Sequence, residues 1–412
     1  NNMLYNIFDL WTPSYDIYPS RNDWPDDPRY KDWQKLVYYF SKYKNYSVEA
    51  TKYGEIKAMI GGATATQGYK SAMVGTYGMT RNIENSGNLL GTDQIKQQVM
   101  PLNLWWGGNA ERTSKKRKSI IDSFDSGKTT RYIVHFCEWI DDEIHDEFTK
   151  MMEHNFIRKE FIGIHSTGVR GDDWKEIAKA DMKVVWSPLS NLILYNKTTD
   201  IKGALDRGVP LKNIALAPDW APSGSPNLLS ELKIAHEYSV RRLDGLLGPK
   251  ELLYMITANP GAVVGYDDYI GSIKEGLRAD ITIVKVRDAD PYVSLLLADV
   301  EDVELVMVDG QPLYGALSYC KQFGKGNDFE IFKVNGTEKA IDVTEGSVPK
   351  GTQTLKELMT LLNMEFAELR KLIAFEYEED AADYCRLAPL YWPKPTSYDN
   401  FIFASKLGKQ SK

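Results

Sequence analysis

The chain has 412 residues, of which 43% are hydrophobic, and 57 acidic against 50 basic residues give a net charge of -7. This length allows a large core and more than one domain. The acidic balance and the lack of a long basic block exclude nucleic acid as an expected partner, and the short basic run at residues 114–118 is predicted to be a solvated helix or loop face.

Neither the body of the chain nor its start carries a targeting signal that we recognise. No stretch is apolar enough to span a bilayer, and the first residues show neither a basic nor an apolar signal-peptide region. Cys137, Cys320 and Cys385 lie too far apart to predict a disulfide framework or a zinc knuckle. We therefore expect no membrane contact and no signal peptide, and a cytoplasmic location, although the sequence leaves the compartment open.

From about residue 56 to residue 265, short apolar runs alternate with amphipathic segments, which is typical of repeated β–α units. The predicted strands are Ser71–Val74 (or the GGATAT run before it), Tyr132–His135, Phe161–His165, Lys183–Trp186 and Ile214–Ala217. The predicted helices are Asp141–Met152, Asn227–Tyr238 and Glu251–Ala258. The last of these helices is expected to end before Asn259-Pro260, because a residue that precedes proline disfavours the helical conformation.

The pattern changes after Gly265. The segments GSIKEGLRADITIVKV and VELVMVDGQPLYG predict strands joined by glycine turns, with Asp309-Gly310 as a hairpin signal. Apolar residues at helical spacing predict an amphipathic helix or a helix pair over Leu355–Glu376. A small β-layer that follows a barrel, and then a helical extension, is the simplest organisation.

Polar residues that can bind a metal close three of the apolar runs. His135 ends RYIVH, His165 ends FIGIH, and Asp219 follows IALAP. Parallel barrels carry their catalytic groups at the C-terminal ends of the strands, and histidine with carboxylate is a common ligand set of hydrolytic metals. The series predicts a site, and Glu138, three residues after His135, can reach the same pocket mouth.

Each of these residues also has a structural interpretation. A histidine at a strand end can be a hydrogen-bonded core residue, and an aspartate before a helix can cap it. Because Ser225 and Asn227 lie closer to the next helix, we assign Asp219 to chemistry. Turn formation and substrate contact are alternative roles for the polar residues of WSPLSN, namely Ser187, Ser190 and Asn191. Three further histidines fall in predicted helices as surface or packing residues: His145, His154 and His236.

Eight segments together resemble the amidohydrolase superfamily, in particular its deaminase and chlorohydrolase branch, which includes guanine deaminase-like and triazine hydrolase-like enzymes. They are HFCE, IGIHSTG, WSPLSNLILY, ALAPDWAPSGSPNLLSELK, GGATATQG, TRNIE, TANPGAVVG and GSIKEGLRADITIV. The resemblance covers most of residues 1–315. It implies an α/β fold with a metal-dependent (β/α)8 TIM-type barrel over residues 1–265, entered at about its first strand. A β-sandwich part over residues 266–328 and a C-terminal helical extension and tail over residues 329–412 would follow.

The resemblance also implies a reaction, the metal-assisted hydrolysis of a C–N bond, or a C–Cl-type bond, in a small cyclic or amidine-like substrate. By this resemblance His135, His165 and Asp219 bind one divalent metal, zinc before iron. Asp219 is the general base, Glu138 donates a proton, and His165 is a ligand or stabilises an oxyanion. The expected substrate contacts are Ser187, Asn191 and Trp220.

The start of the chain departs from the family pattern. Family members carry His-x-His at the end of the first strand, whereas this chain opens NNMLYNIFDLW and places Asn2 at the second histidine. Asparagine is a weaker zinc ligand than imidazole, so loss of the metal is one expectation. Three hypotheses follow: an active hydrolase, a catalytically inactive binding or scaffolding protein, and one chain of a split or cleaved hydrolase whose N-terminal strands lie on a partner chain. A small-molecule substrate and a second copy in a homodimer are the other expected partners.

Overall fold

The structure is a computed structural model of the chain. It describes residues 7, 18–19, 21, 23–39, 46–68, 79–84, 90, 94–98, 109–140, 143–221, 223–324, 329–344, 353–372 and 386–391. The strands are, in chain order, β1 (Ala65–Thr66), β2 (Arg81–Asn82), β3 (Ile95–Gln98), β4 (Arg131–Phe136), β5 (Phe161–His165), β6 (Lys183–Trp186), β7 (Ile214–Leu216), β8 (Ile281–Val284), β9 (Val303–Val308), β10 (Gln311–Gly315), β11 (Glu330–Val334) and β12 (Thr337–Ile341). The helices are α1 (Pro28–Tyr38), α2 (Ser47–Ile60), α3 (Ala110–Asp125), α4 (Glu143–Glu153), α5 (Asp173–Lys179), α6 (Pro188–Tyr195), α7 (Ile201–Asp206), α8 (Leu228–Arg242), α9 (Pro249–Ile256), α10 (Ala258–Val264), α11 (Pro291–Leu297), α12 (Leu317–Phe323) and α13 (Leu355–Leu372).

The first part of the chain builds a parallel sheet in the order β3-β4-β5-β6-β7. The strand predictions at β4, β5, β6 and β7 are confirmed, and so is the α/β class. Residues 71–74 lie outside the described residues, whereas the alternative GGATAT run contains β1, which pairs in parallel with β2. The strand β3 was missed because KQQ interrupts its apolar character.

Alternate residues of this sheet face two apolar clusters. Val134 and Phe136 of β4 pack with Phe148 of α4 on the side of the helices. Ile133 and Ile162 pack together on the opposite side. Because both faces are covered, the strands read as nearly continuous apolar runs, and polar side chains can collect at the strand ends.

The second sheet is antiparallel, in the order β11-β12-β10-β9-β8. The predicted Asp309-Gly310 hairpin is confirmed, since it joins β9 to β10. A second hairpin turns at Asn335-Gly336, where φ is 45° and 82°, as a tight turn of the Asn-Gly type requires. The sheet thus continues to Ile341, beyond the predicted end of the β-layer at residue 328, and Asn335-Gly336 is the turn signal that the prediction did not use.

Two of the predicted helices differ in detail from the helices of the structure. The amphipathic segment is one helix, α13, which buries Leu358, Leu362, Phe366 and Leu369 in a cluster shared with α2. The helix predicted over Glu251–Ala258 is α9, which ends at Ile256 and therefore before Asn259-Pro260, but this pair lies in the first turn of a further helix, α10, which begins at Ala258. Proline is tolerated in the first turn of a helix, where its missing N–H has no intrahelical acceptor. Among the described residues, no helix combines the length and the hydropathy that crossing a membrane requires.

Candidate active site

The predicted site residues meet at the C-terminal ends of the parallel strands. His135 and His165 lie in β4 and β5, Glu138 lies in the loop after β4, and Asp219 follows β7; all four side chains are buried. The two imidazole centroids are 5.1 Å apart. Nε2 of His165 is 3.5 Å from Oε1 of Glu138 and 3.9 Å from Oδ2 of Asp219. Ligand atoms of His135, Glu138 and His165 all lie within 4.8 Å of one another.

The backbone at these strand ends is unusual. Cys137, His165 and Ser166 have φ values of 47°, 72° and 53°, a region that costs a residue other than glycine of order 1–3 kcal/mol. Strict alternation along β5 would place His165 on the face of Phe161, which packs against the helices. The left-handed backbone breaks this alternation and brings the imidazole beside His135. The N–H of Ser166 donates to the carbonyl of Phe136 (2.9 Å), which fastens the turn to β4.

His165 is oriented by an amide. Its Nδ1 lies 2.8 Å from Oδ1 of Asn191, and Nδ2 of Asn191 donates to Oγ1 of Thr198 at 3.2 Å. With an amide oxygen facing it, Nδ1 carries the proton and Nε2 turns its lone pair towards the cleft. Nε2 has no hydrogen-bond partner among the described residues. Asn191 is fully buried with both ends of its amide engaged, so it orients His165, and its substrate contact stays a prediction.

Glu138 lies between a cation and a phenol. The hydroxyl of Tyr195 donates to its Oε1 at 2.9 Å, and Nη1 of Arg21 lies 3.6 Å from its Oε2. The indole N–H of Trp24 donates to the same Tyr195 hydroxyl at 3.2 Å. Burial, and then the charge of Glu138, raise the pKa of Tyr195 well above its usual value, so the phenol keeps its proton and remains a donor. The sequence interpretation missed Arg21, Trp24 and Tyr195.

Asp219 is held by neutral donors. The hydroxyl of Ser190 donates to its Oδ2 at 2.7 Å, and its Oδ1 has no hydrogen-bond partner among the described residues. The ring of Trp220 packs on Trp24 and Tyr30 with centroid distances of 5.2 and 6.0 Å. This indole is buried among aromatic rings, and its role as a substrate contact stays a prediction.

Two predicted positions remain, Ser187 and Asn2. Oγ of Ser187 donates to the carbonyl of Ala217 at 2.8 Å and so ties the end of β6 to the end of β7. The oxygen of this hydroxyl can still accept a hydrogen bond, and the substrate contact of Ser187 stays a prediction. Asn2, the predicted altered ligand position, lies outside the described residues.

A buried glutamate lies close enough to each site carboxylate to feel its charge, Glu147 for Glu138 and Glu231 for Asp219. The sequence interpretation identified neither glutamate. Oε2 of Glu147 accepts the N–H of Cys137 at 2.9 Å, and Oε1 of Glu231 accepts the N–H of Leu189 at 3.0 Å. Burial raises the pKa of each glutamate to about 7, opposed by the charge of Arg21 at Glu147 and by the hydrogen bond from the N–H of Leu189 at Glu231. A glutamate on the apolar face of a helix, as in α4 and α8, is the signal that could have found them.

The donor set fits a divalent metal. Two imidazoles and neighbouring carboxylates are the ligand types that hold zinc in hydrolytic sites. Nε2 of His165 and Oδ1 of Asp219 are buried polar atoms without a hydrogen-bond partner in the described part of the chain. Buried polar atoms normally have such a partner, and a cation bound between these two would satisfy both.

Comparison with known proteins gives one family and a set of partial relatives. Residues 112–313 match the amidohydrolase family. The 5-methylthioadenosine/S-adenosylhomocysteine deaminase of Pyrococcus furiosus is 28% identical over 169 residues, which is 39% of this chain and 39% of that protein. The imidazolonepropionase of Caldanaerobacter subterraneus subsp. tengcongensis is 30% identical over 112 residues, 27% of this chain and 25% of that protein. The matches thus span no more than 39% of the length of these two relatives.

Solved structures extend the likeness to most of the chain. A triazine hydrolase variant aligns with a TM-score of 0.55 at 14% identity, over 76% of this chain and 80% of that chain. An adenosine deaminase from Xanthomonas campestris, with bound zinc, aligns with a TM-score of 0.51 at 16% identity, over 78% and 82%. At these identities the likeness concerns the fold, and it confirms the predicted barrel-type fold class. The sequence relatives include deaminases, which is the enzyme type of the predicted branch.

Proposed function

We propose that this chain, whose residues 112–313 match the amidohydrolase family, hydrolyses a small cyclic or amidine-like substrate with the help of one divalent metal. The bond broken is a C–N bond or a C–Cl-type bond. The observation that carries the proposal is the convergence of His135, Glu138, His165 and Asp219 at one end of the parallel sheet. A packing role alone would not require two buried carboxylates to face the same imidazole nitrogen.

His135, His165 and Asp219 would hold the metal, and zinc suits imidazole with carboxylate better than the harder divalent ions do, with iron as the second candidate. When bound, such a metal brings the pKa of a water ligand towards neutrality and polarises the bond that is attacked. The remaining chemistry belongs to the side chains of this chain.

Asp219 is placed to act as the general base. Its Oδ1 has no other partner among the described residues, so it can take a proton from the attacking water and deliver it to the leaving group. Glu138, on the other side of His165, transfers a proton to a ring nitrogen of the substrate, while Tyr195 holds its carboxyl group in place. Water adds to the carbon, the C–N bond breaks, and an amine leaves with the proton that Asp219 delivers, while the new hydroxyl group on the carbon returns a proton to Glu138 and becomes the carbonyl of the product.

The test is metal content together with amine release. Purified protein is analysed for zinc and iron, stripped with a chelator and reloaded, and ammonia release is measured on aminated purines, pyrimidines and triazines. We expect about one metal per chain, and activity that disappears on stripping and returns with zinc. His135→Asn should abolish both, whereas His154→Asn, a matched change at a partly exposed position just after α4, should alter neither. A protein that binds no metal and releases no amine would favour the inactive binding protein instead.

A further inference from the structure

A chain of hydrogen bonds leads from the loop after β7 to the carboxylate of Asp219. Nε1 of Trp220 lies 2.7 Å from Oγ of Ser223, which lies 2.7 Å from Oγ of Ser190, which lies 2.7 Å from Oδ2 of Asp219. Ser190 and Ser223 are 0% and 1% exposed. We call Trp220, Ser223, Ser190 and Asp219 the serine relay.

The relay runs in one direction. A carboxylate only accepts, so the proton of Ser190 goes to Asp219, and at the contact between the two hydroxyls Ser223 is left as the donor. An indole nitrogen only donates, so Trp220 fills the acceptor position of Ser223. Each member thus has one fixed role, and reversal would leave either the indole or the carboxylate without its partner.

The relay fixes which oxygen of Asp219 is used. Oδ2 receives a charge-assisted bond at a buried position, where such a bond is strong and geometrically demanding. Since both oxygens belong to one planar group, holding Oδ2 also sets the direction of Oδ1, which has no partner in the described part of the chain. We propose that Ser190 and Ser223 are positioning residues that present Oδ1 of Asp219 to the metal and its water. This inference rests on the function proposed above.

The serine relay depends on a glycine at position 224, in the loop that carries Ser223. A Cβ atom at this position would lie 2.7 Å from the carbonyl carbon of Asp219 and 2.8 Å from the carbonyl oxygen of Trp220, closer than real Cβ contacts allow. The N–H of Gly224 donates to that oxygen of Trp220 at 2.8 Å. The loop can therefore fold back tightly enough for Ser223 to stand between the indole of Trp220 and the hydroxyl of Ser190.

The experiment measures zinc affinity and the cobalt spectrum of relay variants. Zinc is titrated against a chromophoric chelator, and the visible absorption of the cobalt-loaded protein reports ligand geometry. We expect Ser190→Ala and Ser223→Ala each to lower zinc affinity by about 10-fold or more and to shift the cobalt bands, as is typical when a residue that orients a ligand is removed. Ser239→Ala is the matched control, because this buried hydroxyl donates to the carbonyl of Leu247 and lies outside the relay.

A double variant separates a relay from two independent contacts. Once Ser190→Ala has broken the chain, Ser223→Ala should cause no further loss of zinc affinity, because coupled residues are not additive. Fully additive losses, or single variants with the zinc affinity and the cobalt spectrum of the original protein, would overturn the proposal. If Ser190→Ala does not fold, Trp220→Phe removes the first donor and keeps a ring in place. It should then weaken zinc binding less than Ser223→Ala does.

The outcomes distinguish the two proposals. If the unmodified protein binds no zinc and releases no amine, the proposed function fails. If it binds zinc and turns over while the relay variants keep its affinity and spectrum, only the relay fails.

Discussion

The two site carboxylates lie near the same imidazole nitrogen, Nε2 of His165, and are held by different kinds of partner. Asp219 approaches Nε2 of His165 from the loop after β7 and receives its hydrogen bond from a neutral hydroxyl. Glu138 approaches from the loop after β4 and has a guanidinium, that of Arg21, 3.6 Å away together with a phenol donor. The two carboxylates therefore share a location but differ in charge compensation.

This difference bears on their roles. A buried carboxylate needs a counter-charge, and neutral donors supply only part of its stabilisation. Among the described contacts Asp219 has hydroxyl donation alone, so a cation in the cleft is its natural counter-charge. Glu138 already has Arg21, and its surroundings suit a group that handles protons beside the metal. The comparison predicts that Asp219 controls metal binding and that Glu138 controls turnover.

The largest effect is expected from Asp219→Asn. This change removes the proposed charged ligand and the proposed general base at once, so turnover should fall by more than about 1000-fold and zinc affinity should also fall sharply. Amine release and chelator competition measure the two quantities. Asp206→Asn, the same substitution at an exposed position of α7, is the control. Unchanged zinc affinity in Asp219→Asn would remove the proposed distinction between the two carboxylates.

Glu138→Gln should separate the two quantities. Loss of a proton-transfer group lowers turnover by about 100-fold or more, while zinc affinity should change by less than about 10-fold. Glu160→Gln makes the same change at a buried glutamate at the start of β5, next to Arg158, and should leave turnover in place. A loss of zinc in Glu138→Gln as large as in Asp219→Asn would instead make Glu138 a ligand, as its closeness to His135 and His165 permits.

The pattern of apolar runs in the sequence predicted those side chains of the candidate site that lie at the ends of strands. His135, His165 and Asp219 each follow an apolar run, and parallel strands bring such positions to one edge of a sheet. The orientation of His165 did not follow from pattern, because alternation along β5 points the other way and only a left-handed residue corrects it. Asn335-Gly336 was a readable turn signal that the prediction passed over.

The residues that hold the carboxylates could not be read from the sequence, because their partners are distant along the chain. Arg21 meets Glu138, and Tyr195 meets the same carboxylate from α6. Their segments show no periodicity that marks a site. For Ser187, Asn191 and Trp220 substrate contact stays a prediction, because polar or aromatic type alone does not distinguish a substrate contact from an orienting or packing residue.

A smaller effect is expected from Tyr195→Phe. The change removes one hydrogen bond to Glu138 and leaves the ring, so turnover should fall by about 10-fold, the range of a bond to a charged group. Zinc affinity should stay within about twofold of the original value, in contrast to Ser190→Ala on the other carboxylate. Tyr254→Phe, at a half-exposed position of α9, is the matched control. Equal loss of zinc in Tyr195→Phe and Ser190→Ala would show that the two carboxylates are not held for different purposes.

The smallest expected effect is on the stability of the fold, and it concerns the two buried glutamates near the site, Glu147 and Glu231. Burial raises the pKa of Glu147 and of Glu231 from 4.5 to about 7. Between these values the folded protein binds more protons than the unfolded chain, so the free energy of unfolding should fall as pH rises from 4.5 to 7. Each group contributes at most about 1.4 kcal/mol per pH unit. Urea denaturation of metal-free protein from pH 5 to 8 measures this slope.

Arg21→Met distinguishes the two acids. Arg21 lowers the pKa of Glu147, whereas the groups that act on Glu231 are Ser225, Leu189 and Asp219. Without the guanidinium the pKa of Glu147 should rise further, and the loss of stability with rising pH should continue above pH 7. Adding Glu147→Gln to Arg21→Met should remove this extension, while adding Glu231→Gln should leave it in place. If Glu231→Gln removed this extension equally well, Arg21 would act on Glu231 as well as on Glu147. Arg21 would then not account for the difference in charge compensation between Glu138 and Asp219.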